Sequence, residues 1–245
     1  MFSISKCLKE SFEIFKNNIL LMLFFIGISF LIIIGAGVFV AKIPKDPTNI
    51  AKFTEFIKSN QFFILIIILI LSQFITVIYF HIFIKLAKKE SISFSDLLPE
   101  ALLPKTLKLT GLCFLIMIIF LIFMAICLFG FTFLINNFKN LIFLPVILPF
   151  LLFIPVIIFL CQYYFSAFSI IDGNLGIFES LKESSAITEG SRLKLFLLLI
   201  PYFILSIIPL VNIFFPVFSN IFYCVVYKEL CVIHGIMDDS DADLA

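Results

Sequence analysis

Residues 195–227 read LFLLLIPYFILSIIPLVNIFFPVFSNIFYCVVY, 33 positions without one Asp, Glu, Lys or Arg. As a single helix they would reach about 50 Å at about 1.5 Å per residue, well past a bilayer core of about 30 Å. Tilt absorbs only part of such an excess. Pro209, Val211 and Asn212 offer a break near the middle, because the residue before a proline resists helical geometry. The stretch therefore predicts a short fifth span over about 193–209 and a sixth over about 212–233. In the sixth, Lys228 is placed to snorkel to the interface. A single long fifth helix is the alternative.

Working outward, residues 17–41, 59–84, 109–138 and 140–171 are also free of charged side chains. A central Leu, Ile or Phe favours insertion by about 0.3 to 0.6 kcal/mol, and one Lys or Asp opposes it by about 3. These runs predict spans over about 18–41, 62–84, 109–135 and 142–170, making six, with a solvated acidic tail over 238–245. At 245 residues, 62% hydrophobic and 13% charged, little chain is left for a soluble catalytic domain. The first sixteen residues carry mixed charge ahead of an apolar run too long for a cleaved signal, so span one reads as a retained anchor.

The positive-inside rule orients the spans. One side receives twelve cations: Lys6, Lys9, Lys16, Lys85, Lys88, Lys89, Lys105, Lys108, Lys182, Arg192, Lys194 and Lys228. The other receives five: Lys42, Lys45, Lys52, Lys58 and Lys139. Both termini are thus expected in the cytoplasm. Tyr79, Tyr163, Tyr164, Tyr223 and Tyr227 fall near the cytoplasmic ends of spans two, four and six, where amphipathic rings prefer to sit. None of the six cysteines falls in the expected outer loops, so disulfides are not expected. The strong preference for Lys over Arg, with abundant Phe and no Trp, reads as AT-rich coding in a bacterium.

The segments before spans one, three and five resemble one another. Leu8-Lys9-Glu10-Ser11 recurs as Leu181-Lys182-Glu183-Ser184. In the first segment Ile4, Leu8, Phe12 and Phe15 share a helical face. In the second, Phe94, Leu97, Leu98, Ala101 and Leu102 keep helical spacing behind the capping pair Ser93-x-x-Asp96, with Pro104 expected to end the helix. In the third, Ile177, Phe178, Leu181 and Ile187 are the apolar set. The fold expected is all-α: a polytopic integral membrane protein of six transmembrane helices in three hairpins. Each hairpin follows a cytoplasmic amphipathic helix lying in the headgroup plane. Such helices either fix the tilt of the next span or bind lipid headgroups or a partner, with Lys9, Lys182, Arg192 and Lys194 as the candidate headgroup contacts.

No charged residue lies in the interior of a predicted span, away from its ends, which removes the usual markers of proton or ion pathways. His81 reads as interfacial. Gln73, Gln162, Asn212 and Asn220 are the intramembrane polar candidates, a type that commonly joins helices. Pro145, Pro149, Pro155, Pro201, Pro209 and Pro216 crowd the second half, kinking helices for packing or lining a cavity. Cys231-x-x-His234 lacks a second ligand pair, and no hydrolase, zinc-protease or P-loop motif occurs. Neither an enzyme activity nor a cofactor is expected.

Asp172-Gly173-Asn174-Leu175-Gly176-Ile177-Phe178-Glu179-Ser180-Leu181-Lys182-Glu183-Ser184, running on through Thr188 and Arg192 into span five, resembles the YciC-like family of uncharacterised bacterial inner-membrane proteins. Residues 97–104 and the proline-bearing span four extend the likeness, while the first outer loop matches poorly. More distantly the chain resembles the membrane domain found beside some glycerophosphodiester phosphodiesterases. The resemblance implies a six-span inner-membrane protein and transfers no catalytic residue. The expected role is non-enzymatic, in membrane or envelope homeostasis through membrane lipids or a protein partner, which includes a homo-oligomer; nucleic acid is not expected. The alternative is a carrier of a lipid or small amphiphile, using a cavity between spans four to six around Gln162 and Asn212.

Overall fold

The stretch Ile221–Lys228, within the last apolar run, is buried on every side, and the rest of the molecule is arranged around it. In the computed structural model, residues 2–40, 59–93, 96, 102–137, 162–206, 208 and 211–237 are described. Among them are eight helices and no strand: α1 Ile4–Asn17, α2 Ile19–Val40, α3 Asn60–Ala87, α4 Leu102–Asn137, α5 Ser166–Gly173, α6 Ile177–Ile187, α7 Arg192–Ser206 and α8 Val211–Ile233. The architecture is all-helical.

The last apolar stretch is two helices, α7 ending at Ser206 and α8 beginning at Val211. At 15 residues, α7 falls short of the about 20 needed to cross a bilayer. Among the described residues, three helical segments are long and apolar enough to cross: Phe62–Ala87, Leu102–Ile126 and Phe214–Ile233. Ile4–Asn17 and Ile19–Ile32 would add a fourth only if taken together as one span, and they are bent by 87° at their junction. Residues 142–161 of the fourth expected span lie outside the described residues. Its end is broken at Tyr164–Phe165, leaving the short helix α5.

Local chemistry explains the boundaries. The Ser3 side chain accepts from the Lys6 N–H at 3.4 Å and starts α1. Asn18 ends it, its side-chain amide donating to the Ile14 carbonyl at 3.0 Å, and the chain then turns into α2. Helix α3 closes with Lys89 in the left-handed region (φ 60°) and Glu90 N–H donating to Lys85 O at 2.9 Å. Helix α8 closes the same way, with Gly235 at φ 69° and Ile236 N–H donating to Cys231 O at 2.9 Å. Asn174, also left-handed (φ 51°), caps α5.

The core lies at one end of the bundle. It gathers Val77, Ile82, Phe83 and Ala87 of α3, Leu109 and Leu112 of α4, Phe168, Ile170 and Ile171 of α5, Ile187 of α6, and the C-terminal half of α8. Phe168 stacks on Tyr227 at 5.6 Å, and Phe25 of α2 packs edge-on against Phe83 at 5.4 Å. Away from this base the helices present bare hydrocarbon: Leu20, Leu31, Phe63, Leu69, Leu121 and Ile126 are all exposed. A helix apolar all round needs either a protein core or lipid about it.

Three sequence expectations are revised. Residues 94, 95 and 97–101 of the second expected amphipathic helix lie outside the described residues, and Pro104, expected to end it, stands within α4. Helix α1 docks through Cys7 and Ser11 with Ile4 and Phe15 of its expected apolar face packed beside them, while Leu8 and Phe12 (61% exposed) stay outward. Tyr79 and Tyr227 lie near the expected ends but turn into the core, where the Tyr79 hydroxyl donates to Phe25 O at 2.6 Å.

Candidate functional site

The base carries nearly all the polar chemistry among the described residues, because the helix ends buried there must satisfy charged flanks without water. The two Leu-Lys-Glu-Ser repeats organise half of it. Ser11 and Ser184 are both fully buried, donating to Cys7 O at 2.6 Å and Gln162 O at 2.7 Å. Glu10 and Glu183 both turn toward α8: Lys228 donates to Glu10 at 3.4 Å and the Tyr227 hydroxyl to Glu183 at 3.4 Å. Lys9 and Lys182 both point outward and are exposed. Neighbouring residues of α8 are thus gripped from α1 and α6 by equivalent glutamates. Lys228 is held within the protein instead of snorkelling to its edge.

The other half joins α3, α4 and α5. Lys85 donates to Asp96 Oδ1 at 2.7 Å, while Ser93 N–H and Oγ donate to Asp96 Oδ2 at 2.7 and 3.1 Å. The carboxylate thus returns to the Ser93 N–H, one half of the capping box expected of Ser93-x-x-Asp96, while the Asp96 N–H donates to Ser93 O at 3.1 Å. Lys85 and the Ser93 donors hold the Asp96 carboxyl down at about 2. His81 Nε2 stands 3.9 Å from Asp96 Oδ1. Lys88 donates to Asp172 at 2.6 Å, Lys105 to Ile171 O at 2.6 Å, and Lys108 to Asn174 O at 2.7 Å. The Asp172–Ser184 segment is therefore a docking element: a short helix, a left-handed Asn174 and a second helix, clamped by lysines of α3 and α4. Glu179 starts α6 by accepting from Gly176 N–H at 2.9 Å. Gly111 of α4 lets it sit close, since a Cβ there would stand 2.8 Å from Ile177 Cδ1.

The four basic candidates separate. Lys9 and Lys182 are exposed. Arg192 reaches inward, donating to Ser185 O and Oγ, both at 3.4 Å, while its Nε is buried without a partner. Lys194 donates to Phe2 O at 3.2 Å, with its ammonium 5.6 Å from the Phe2 ring centre. Gln162 donates to Ser185 at 2.6 Å, so Ser185 links it to Arg192. Gln73 lies half-buried on α3, apart from that group. Asn212 sits in the first turn of α8, and its side chain is outside the described residues.

Sequence reading did not single out Glu10, Glu183 and Lys228 as partners, or the clamp on Asp172. The repeat held the signal, because two positions matched in sequence, Glu10 and Glu183, do the same work. Among the described residues no three His, Cys, Asp or Glu side chains group as metal ligands. Cys7, Cys113, Cys224 and Cys231 are free thiols. Burial pushes the Cys7 thiol up to about 12, far from a reactive thiolate. The arrangement binds helices together and leaves lysines outside; the acids Glu10, Asp96 and Asp172 are all tied to lysines.

The chain matches no family model, no curated protein and no solved structure.

Proposed function

We propose that this chain is a non-enzymatic, multi-pass protein of a bacterial inner membrane, with both termini cytoplasmic. It acts in membrane or envelope homeostasis through contact with lipids or assembly with a partner. The six-span arrangement and the kinship with YciC-like proteins belong to the same proposal. The observation that carries it is the matched disposition of the two repeats: glutamates inward on α8, lysines outward. Two surface helices on one rigid base thus present cations beside exposed hydrocarbon, the pattern of helices that lie at an anionic interface. Each lysine near such a surface contributes about 1 kcal/mol.

The test is the double reversal Lys9→Glu, Lys182→Glu, followed by native mass spectrometry of protein released gently from its own membrane. A loss of co-purifying anionic lipid, with the fold intact by circular dichroism, is the expected result. An unchanged lipid profile would overturn the lipid half of the reading. A protein partner retained with only bulk lipid would favour the assembly half.

A further inference from the structure

Below the base, α1, α7 and α8 do not close completely. They leave a groove of about 220 Å³. Leu8 of α1, Leu198 and Pro201 of α7, and Phe215, Phe218 and Phe222 of α8 contribute to its walls. Ser219 also lines it, but spends its hydroxyl on Pro216 O at 2.9 Å. The groove is smaller than the about 300 to 1,000 Å³ of sites that enclose a whole ligand. A single hydrocarbon chain is the occupant that fits.

Lys194 marks the polar end. On α7 the positions of Lys194, Leu198 and Pro201 fall along one face, with Leu198 about 6 Å and Pro201 about 10 Å deeper along the axis. That spacing matches the depth from headgroup to upper acyl chain at a membrane interface. The bond from Lys194 to Phe2 O takes one of three ammonium donors. On α1, Lys6 and Glu10 are paired with α8, while Lys9 is exposed next in sequence to Leu8, which lines the groove.

We propose that this groove seats one acyl chain of an anionic phospholipid, with the headgroup phosphate at the Lys194 ammonium. The proposal deepens the lipid-contact reading and rests on it, but names a single site where that reading invokes a surface.

The test uses the full chain in nanodiscs of phosphatidylcholine doped with a phosphatidylglycerol that carries a diazirine in its acyl chain. Illumination and peptide mapping of the wild-type protein should concentrate adducts on Leu8, Leu198, Phe215, Phe218 and Phe222. Leu198→Trp, which fills the groove, should lower them at least tenfold. Leu197→Trp, on the exposed side of the same helix, should leave them unchanged. Lys194→Gln should bring phosphatidylglycerol labelling down to that of a matching phosphatidylcholine probe. Adducts spread over α2, α3 and α4 in proportion to exposure would overturn the proposal without requiring any variant to fold. So would a dimer cross-link lost in Leu198→Trp, which would assign the groove to a second copy. Scattered adducts with a lipid loss in the Lys9, Lys182 double reversal would sink the groove alone and leave the broader reading standing.

Discussion

The base of this bundle and the outer halves of its long helices use much the same Phe, Leu and Ile, yet they are held by different forces. At the base Phe83, Phe168 and Ile171 are fully buried, interleaved with lysine–carboxylate pairs and serine hydroxyls that each have one geometric solution. In the outer halves Phe63, Leu69, Leu121 and Ile126 face outward, and any side chain of similar apolarity would serve. Lipid tails are as apolar as Leu, so helices in a bilayer associate through packing and hydrogen bonds instead of hydrophobic burial. Identity should therefore matter at the base and only hydrophobicity should matter beyond it.

Substitutions along α3 put that contrast to its hardest test. Phe83→Ala should destabilise by about 4 kcal/mol through the cavity it leaves. Phe63→Ala, at the other end of the helix and 60% exposed, should cost about 1 or less, both read from unfolding in detergent. Equal costs would dissolve the distinction. Next comes Glu10→Ala, which strands Lys228, whose side chain is 11% exposed; about 3 kcal/mol should be lost, with Glu10→Ala, Lys228→Met recovering much of it.

Acid probes the same contrast more gently. The Asp96 carboxyl lies at about 2 in the folded protein against an ordinary 3.8. A depressed carboxyl stabilises above its unfolded value, and that contribution disappears as pH falls through the folded one. The unfolding midpoint should hold level down to about pH 4 and decline between about 4 and 2. Asp96→Asn should be less stable at neutral pH and lack that share of the decline. The smallest effect is expected at the two helix ends built alike. Lys89→Gly should stabilise by up to about 1 kcal/mol by relieving a left-handed backbone (φ 60°), whereas Gly235→Ala (φ 69°) should destabilise by about as much.

The sequence was most legible where composition alone governs. Charge-free runs coincide with α2, α3, α4 and α8, because helix insertion depends on summed apolarity. It was least legible at the base. Helical periodicity assigned Leu8, Phe12 and Phe178 to apolar faces, but Phe12 and Phe178 (79% exposed) stay outside while Ser11, Ser180 and Ser184 go in. Near a bilayer, a large apolar side chain need not be buried in protein, so periodicity no longer says which side is the core. Small hydroxyls let helices approach closely and satisfy themselves on backbone carbonyls, a role that hydropathy scores as polar. The candidate lysines divided for the same reason: Lys9 and Lys182 follow the repeat outward, whereas Lys194 answers to Phe2, a contact no local pattern encodes.

The clasp between Glu10 and Lys228 also has a meaning in time. Its partners are separated by 218 positions in the chain. At about 5 to 20 residues per second, α1 is made some 10 to 40 seconds before the helix that completes its seat. Until then α1 stands at its right angle to α2 with Glu10 lacking that partner. A chain that stops before residue 228 therefore leaves Glu10 without this partner, although α1 itself is complete.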